Sequence, residues 1–179
     1  MTLIIPKILV VSDSHGSLGP LVELVDKENP RTLIHLGDLV DKGGEESDKR
    51  DHHILMKLLR EHKSLRLIHV DGGEDSYGPF ELQVQNSYRK RAFTGRHYSE
   101  GRYFLSHKVC YEAHADINLF GHTHRQMYKR GDYDYADEGI VLGREYSIKG
   151  KGPFFINPGA FRHGEYCIIA EDTLLFKNL

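Results

Sequence analysis

Twelve histidines stand in this chain of 179 residues, and four of them share short polar breaks with two aspartates. The breaks read Asp13-Ser14-His15-Gly16, Gly37-Asp38, Ser106-His107 and Gly121-His122-Thr123-His124. Each follows an apolar, strand-like run. Two carboxylates and four imidazoles are a ligand set for a pair of divalent cations: Mn first, with Fe, Zn or Ni suited to imidazole and Mg to carboxylate. Any one of these fragments alone is an ordinary strand-end turn. The information lies in their conjunction, in chain order and always at the end of a strand.

Such a set needs elements that bring six side chains to one place. Residues 8–11 are a β-branched run, read as a buried strand. Ser17 can cap a helix with Pro20 in its first turn, Leu21, Val22, Leu24 and Val25 on its inner face, and a stop at Asn29-Pro30. Residues 32–36 are a second strand. Ile54, Leu55, Leu58 and Leu59 mark a second helix, and residues 65–70 a third strand that ends in Asp71-Gly72-Gly73-Glu74-Asp75. This β-α-β-α-β order predicts parallel strands with right-handed crossovers, and in such sheets ligands gather at the carboxyl ends. The second half is rich in Tyr and Gly. Its short runs at residues 102–106, 118–120, 154–156, 166–170 and 174–176 predict a second, largely antiparallel sheet, with residues 131–152 as a loop or hairpin. The expected fold is α/β, a two-sheet (αββα) sandwich with helices on the outer faces, in a single domain over residues 1–179.

Composition narrows the function classes. Lys+Arg 24 against Asp+Glu 26 leaves a net charge of −2, against a globally basic nucleic-acid binder but open to a local basic patch. Cys110 and Cys167 stand far apart and in no C-x-x-C, against a disulfide framework or a thiolate zinc finger. No apolar run approaches the roughly 18 residues of a membrane helix, and the first seven residues do not read as a signal peptide. A reducing cytoplasm is the expected location.

Asp13-x-His15, Gly37-Asp38, His107, Gly121-His122-Thr123-His124 and Asn157-Pro158-Gly159 together resemble the calcineurin-like metallophosphoesterase superfamily, in its branch of small prokaryotic phosphodiesterases. That resemblance implies a dinuclear centre. One cation would take Asp13, His15, Asp38 and His124; the other would take Asp38, His107, His122 and an Asn, with Asp38 bridging. It also implies hydrolysis of a small phosphate ester or nucleotide, a diester before a monoester, by a metal-activated water attacking phosphorus in line. Residues 13–16 and 37–43 are similar to the protein-phosphatase and diadenosine-tetraphosphatase branch as well. Monoester or dinucleoside-polyphosphate hydrolysis therefore stays open.

The chain departs from the family pattern at Gly73, where the Asn ligand is expected. The next residue is Glu74, where the family often has a His that protonates the leaving group, so Glu74 becomes the candidate for that role. Asp71, Glu74 or Asp75 could replace the missing ligand, or water could. The site could also have become a silent binding module. The remaining features are weaker. Tyr88-Arg89-Lys90-Arg91 with Arg96 and Arg102 could hold a nucleic-acid backbone or line a surface hairpin. Adjacent His52 and His53 are expected at the surface. His35 alternates away from the polar edge and is read as structural. His163 either reaches phosphate or caps its loop.

Overall fold

The computed structural model describes residues 6–40, 45–72, 88, 91–110, 114–131 and 139–179. Strand β1 (Lys7–Val11) sends Leu9 and Val11 to one side and Val10 to the other, and all three are buried. Helix α1 (Leu18–Glu28) follows. Its Leu18, Leu21, Leu24 and Val25 recur at three- and four-residue spacing and are buried on its inner face. The helix ends at Asn29, held at φ 44° with its N–H on the Val25 carbonyl. Asn adopts this left-handed cap more readily than most residues, and Pro30 cannot extend the ladder.

Strand β2 (Thr32–His35), helix α2 (Glu45–Glu61), β3 (Arg66–Val70) and β4 (Ala92–Gly95) continue the alternation. Strands β1 to β4 are parallel neighbours, in the register Leu9↔Leu33↔Leu67↔Ala92. The chain then crosses to a second layer through β5 (His97–Glu100), β6 (Tyr103–Ser106), β7 (Ile117–Phe120), β8 (Gln126–Arg130) and β10 (Phe154–Pro158). These form a five-stranded sheet in the order β5-β6-β7-β10-β8. Strands β9 (Glu145–Ser147), β11 (Glu165–Ala170) and β12 (Thr173–Asn178) return to the first layer, which becomes seven strands ordered β4-β3-β2-β1-β11-β12-β9.

The strands of the second half thus divide between two sheets, where a separate and largely antiparallel sheet was expected. The five-stranded sheet is mixed: β6, β7 and β10 are parallel, and β5 and β8 pair antiparallel at its edges. The side chains of β11 explain its return. Tyr166 and Ile168 join the helix-side core, while Cys167 and Ile169 join the core between the sheets. A strand apolar on both faces is stable only where both faces are covered. The helices α1 and α2 cover the outer face of the seven-stranded sheet through Leu18, Leu21, Leu24, Leu55, Leu58 and Leu59.

Arg91 and Arg102 of the basic stretch serve the fold. The Arg91 guanidinium donates to the carbonyls of Leu59, His62 and Leu65, closing the exit of α2. Arg102 pairs with Asp116 and Asp172 and donates to the Ile148 carbonyl. His52 is buried while His53 is exposed, so the expectation of two surface histidines holds for His53 alone: adjacent positions on a helix point about 100° apart, and one of them faces the sheet. Both cysteines are free, and burial pushes the Cys167 thiol up. Among the described residues no helix is long and apolar enough to cross a membrane.

Candidate metal centre

Strands β1, β2, β6 and β7 all end at one polar edge, and backbone hydrogen bonds lace their loops together. Asp13 N–H donates to the Gly37 carbonyl at 2.9 Å, His15 N–H to Asp38 at 3.0 Å and Gly16 N–H to Leu39 at 2.9 Å. On the other sheet Gly121 N–H donates to the His107 carbonyl at 2.9 Å. The two halves are joined by His122 N–H, which donates to Asp13 Oδ2 at 3.0 Å.

Close packing of these loops requires bare backbone. A Cβ on Gly121 would run into the Ser12 hydroxyl, and one on Gly72 would overlap the Asp38 amide and carboxylate. The loops are also strained. Asp13, His15, Asp38, His122 and His124 have φ of 53°, 43°, 51°, 68° and 54°. Each left-handed residue costs roughly 1 kcal/mol or more, and such strain gathers where a site must be pre-organised.

The six side chains fall into two groups. Asp13, His15 and His124 bring one donor atom each within 4.8 Å of one another, and Asp38, His107 and His122 do the same. In the first group His124 Nε2 lies 3.1 Å from Asp13 Oδ1 and 3.4 Å from His15 Nε2. In the second, His107 Nε2 lies 3.3 Å from Asp38 Oδ2 and 3.2 Å from His122 Nδ1. Asp13, Asp38 and His107 are buried.

Two details show that these donors fit a cation. The Asp13 carboxylate is divided: Oδ2 accepts from the Ser12 hydroxyl at 2.5 Å and from His122 N–H, while Oδ1 is buried, makes no hydrogen bond, and has the His124 imidazole Nε2 3.1 Å away. A buried carboxylate oxygen without a donor is costly unless a positive charge meets it. The His107 ring is fixed by its own partner, since Nδ1 lies 2.7 Å from the Leu36 carbonyl. A carbonyl only accepts, so Nδ1 carries a proton, which leaves Nε2, 3.3 Å from Asp38 Oδ2, as the atom that would face a cation once deprotonated, the arrangement usual for imidazole ligands. Asn157, fully buried, steadies the loop that carries His122 and His124: its amide donates to the Gly121 carbonyl at 2.8 Å and to Thr123 Oγ1 at 3.0 Å.

Charge in the second group is lopsided. Burial presses the His107 imidazolium down, but the Asp38 carboxylate and the Leu36 carbonyl outweigh it and hold the group above the usual histidine range. Burial and neighbouring His107 push His122 below that range.

Residues 7–169 match the family model described as the calcineurin-like phosphoesterase superfamily domain. The chain belongs to that superfamily. Solved structures agree on the fold. A metallophosphoesterase from Sphaerobacter thermophilus superposes with a TM-score of 0.63 at 20% identity, covering 97% of this chain and 88% of that one. An archaeal phosphodiesterase gives 0.64 at 18% identity, covering 97% and 99%. A predicted phosphoesterase from Streptococcus pneumoniae TIGR4 gives 0.52 at 16%, covering 99% and 91%. No curated protein matches the sequence.

Within this phosphoesterase fold the residues picked out by the sequence divide clearly. Asp13, His15, Asp38, His107, His122 and His124 converge. Gly73, Glu74 and Asp75 lie outside the described residues, as do Arg89, Lys90 and residues 41–43 of the 37–43 motif. His35 is buried beneath the edge, with Nε2 2.7 Å from Ser14 Oγ, which itself donates to the Leu39 carbonyl at 3.1 Å. Ser12 and Ser14 are the residues the sequence reading missed. Their signal was position, two short hydroxyls flanking Asp13 inside the first polar break.

Proposed function

We propose that this protein hydrolyses a phosphate ester, a diester in preference to a monoester, with two divalent cations, Mn foremost. Asp13, His15 and His124 would hold one, His107 and His122 the other, and Asp38 would stand between them. The observation that carries the reading is the Asp13 carboxylate, with one oxygen fixed by the chain and the other buried, without a hydrogen bond, 3.1 Å from the His124 imidazole. The fold shared with an archaeal phosphodiesterase adds the diester.

A bound pair of cations supplies Lewis acidity toward the phosphate oxygens and an activated water. The chain does the rest. Ser12 and His122 N–H orient Asp13, the Leu36 carbonyl sets the His107 tautomer, and Asn157 fixes the loop carrying His122 and His124. Glu74 is proposed as the proton donor to the leaving group. The substrate is a small phosphate ester or nucleotide.

The monoester or dinucleoside-polyphosphate alternative rests on the motif at residues 37–43, and a silent binding role rests on Gly73. Metal-stripped protein, assayed with and without Mn on a chromogenic diester and a chromogenic monoester, separates the three. The proposal expects Mn-dependent turnover with the diester preferred. Monoester preference favours the first alternative, and inertness toward both the second.

A further inference from the structure

Beside the candidate centre lies a short turn that the metal ligands do not explain. Between β10 and β11 the chain makes one 3-10 turn, Phe161–His163, closed by Gly164 at φ 84° with its N–H on the Phe161 carbonyl. The turn is anchored from below. The Phe161 ring is 1% exposed in the helix-side core, and its N–H donates to the Ser12 carbonyl at 2.8 Å. Arg162 N–H donates to the Asp13 carbonyl at 3.3 Å, and the Glu165 carboxylate takes the Ala160 N–H at 2.9 Å.

This anchored turn displays His163 at the mouth of the first ligand group. His163 is exposed, and its ring stands edge-on to the His124 ring with centroids 6.2 Å apart. A turn anchored by Phe161 and by backbone hydrogen bonds, carrying an exposed histidine against a metal-ligand candidate, is placed to meet a ligand arriving from solvent.

We propose that His163 binds substrate: its imidazole N–H donates to a non-bridging oxygen of the phosphate undergoing hydrolysis. This rests on the phosphoesterase reading and adds to it a residue beside the first ligand group that touches substrate and holds no metal.

The test uses Mn-loaded full-length protein and two readouts, inorganic phosphate binding by calorimetry and steady-state kinetics on a chromogenic diester. Losing a hydrogen bond to a charged oxygen weakens binding by about tenfold or more. H163A should therefore weaken phosphate binding and raise KM by that factor, with bound Mn unchanged by elemental analysis. H163Q, which keeps an N–H donor, should recover part of the loss. Unchanged phosphate affinity in H163A would overturn the assignment. Loss of Mn in step with KM would also overturn it, by showing that His163 only props His124. A wild type that binds phosphate but turns over no ester defeats the phosphoesterase reading instead, and the two phosphate affinities then decide the inference by themselves.

Discussion

At the scale of single residues, the candidate centre places costly things where a cation would repay them. Five of its six side chains hang from left-handed backbone, and the buried Asp13 Oδ1 makes no hydrogen bond. Asp and His are among the residues that tolerate positive φ best, so the ligand chemistry and the backbone chemistry select the same residue types. The bridging place of Asp38 predicts a specific loss. Asp38→Asn should abolish turnover and lower occupancy of both cations, measured by elemental analysis, while two full equivalents per chain would show that Asp38 bridges nothing. Gly73 gives a second prediction. With Gly where an Asn ligand is expected, the second cation should bind more weakly than the first in a calorimetric titration of stripped protein, and Gly73→Asn should tighten that second step. Two equally tight sites in the wild type would mean that another group, such as the Asp71 carboxylate, already fills the place.

At the scale of elements, the anchoring of α1 shows how the sheet edge is kept in register. Glu28, buried at the end of α1, reaches Lys7 on β1 at 3.1 Å and Lys177 on β12 at 2.9 Å, with the Tyr166 hydroxyl at 3.3 Å. Burial raises its carboxyl, but hydrogen bonds and charge from Lys177 and Lys7 outweigh this and hold it below its ordinary value of 4.5. A lowered folded-state pKa gives stability that is present above the unfolded value and is lost as pH falls through the folded one. Glu28→Gln should therefore destabilise the protein near neutral pH by roughly 1–3 kcal/mol, read by denaturant unfolding. The gap to wild type should close below about pH 4.5. A gap constant with pH would mean that the ion pairs contribute nothing.

Elements also divide what the sequence shows from what it hides. Helix α1 was legible because periodic leucines and the Asn-Pro stop agree over Leu18–Glu28, although Ser17, at the N-cap position, makes no side-chain capping bond. The parallel β1 to β3 were legible from alternation with helices. The return of β11 and β12 to the first sheet was not, because an apolar run carries no mark of which sheet covers it, and that is settled by both of its faces at once. His52 failed for a related reason: the first half of α2, up to His53, carries no apolar residue, and nothing local says which of two adjacent histidines turns inward.

At the scale of the molecule, two sheets packed face to face bring polar ends from distant parts of the chain to one edge. Asp13 and His124 are far apart in sequence, yet Asp13 Oδ1 and His124 Nε2 are 3.1 Å apart. The six ligand candidates were legible because their spacing follows strand ends. Ser12, Ser14 and the left-handed angles were not, since short hydroxyls and turn geometry carry no distinctive spacing. The central claim is that this edge binds two cations and hydrolyses a phosphodiester with them. Its most direct test is Mn content and diester turnover measured on the same samples, from fully stripped to fully loaded protein. Turnover should be absent in stripped protein and reach its maximum as bound Mn approaches two per chain, one for each donor group. Undiminished turnover in stripped protein, or full loading with no hydrolysis of any ester, would contradict it.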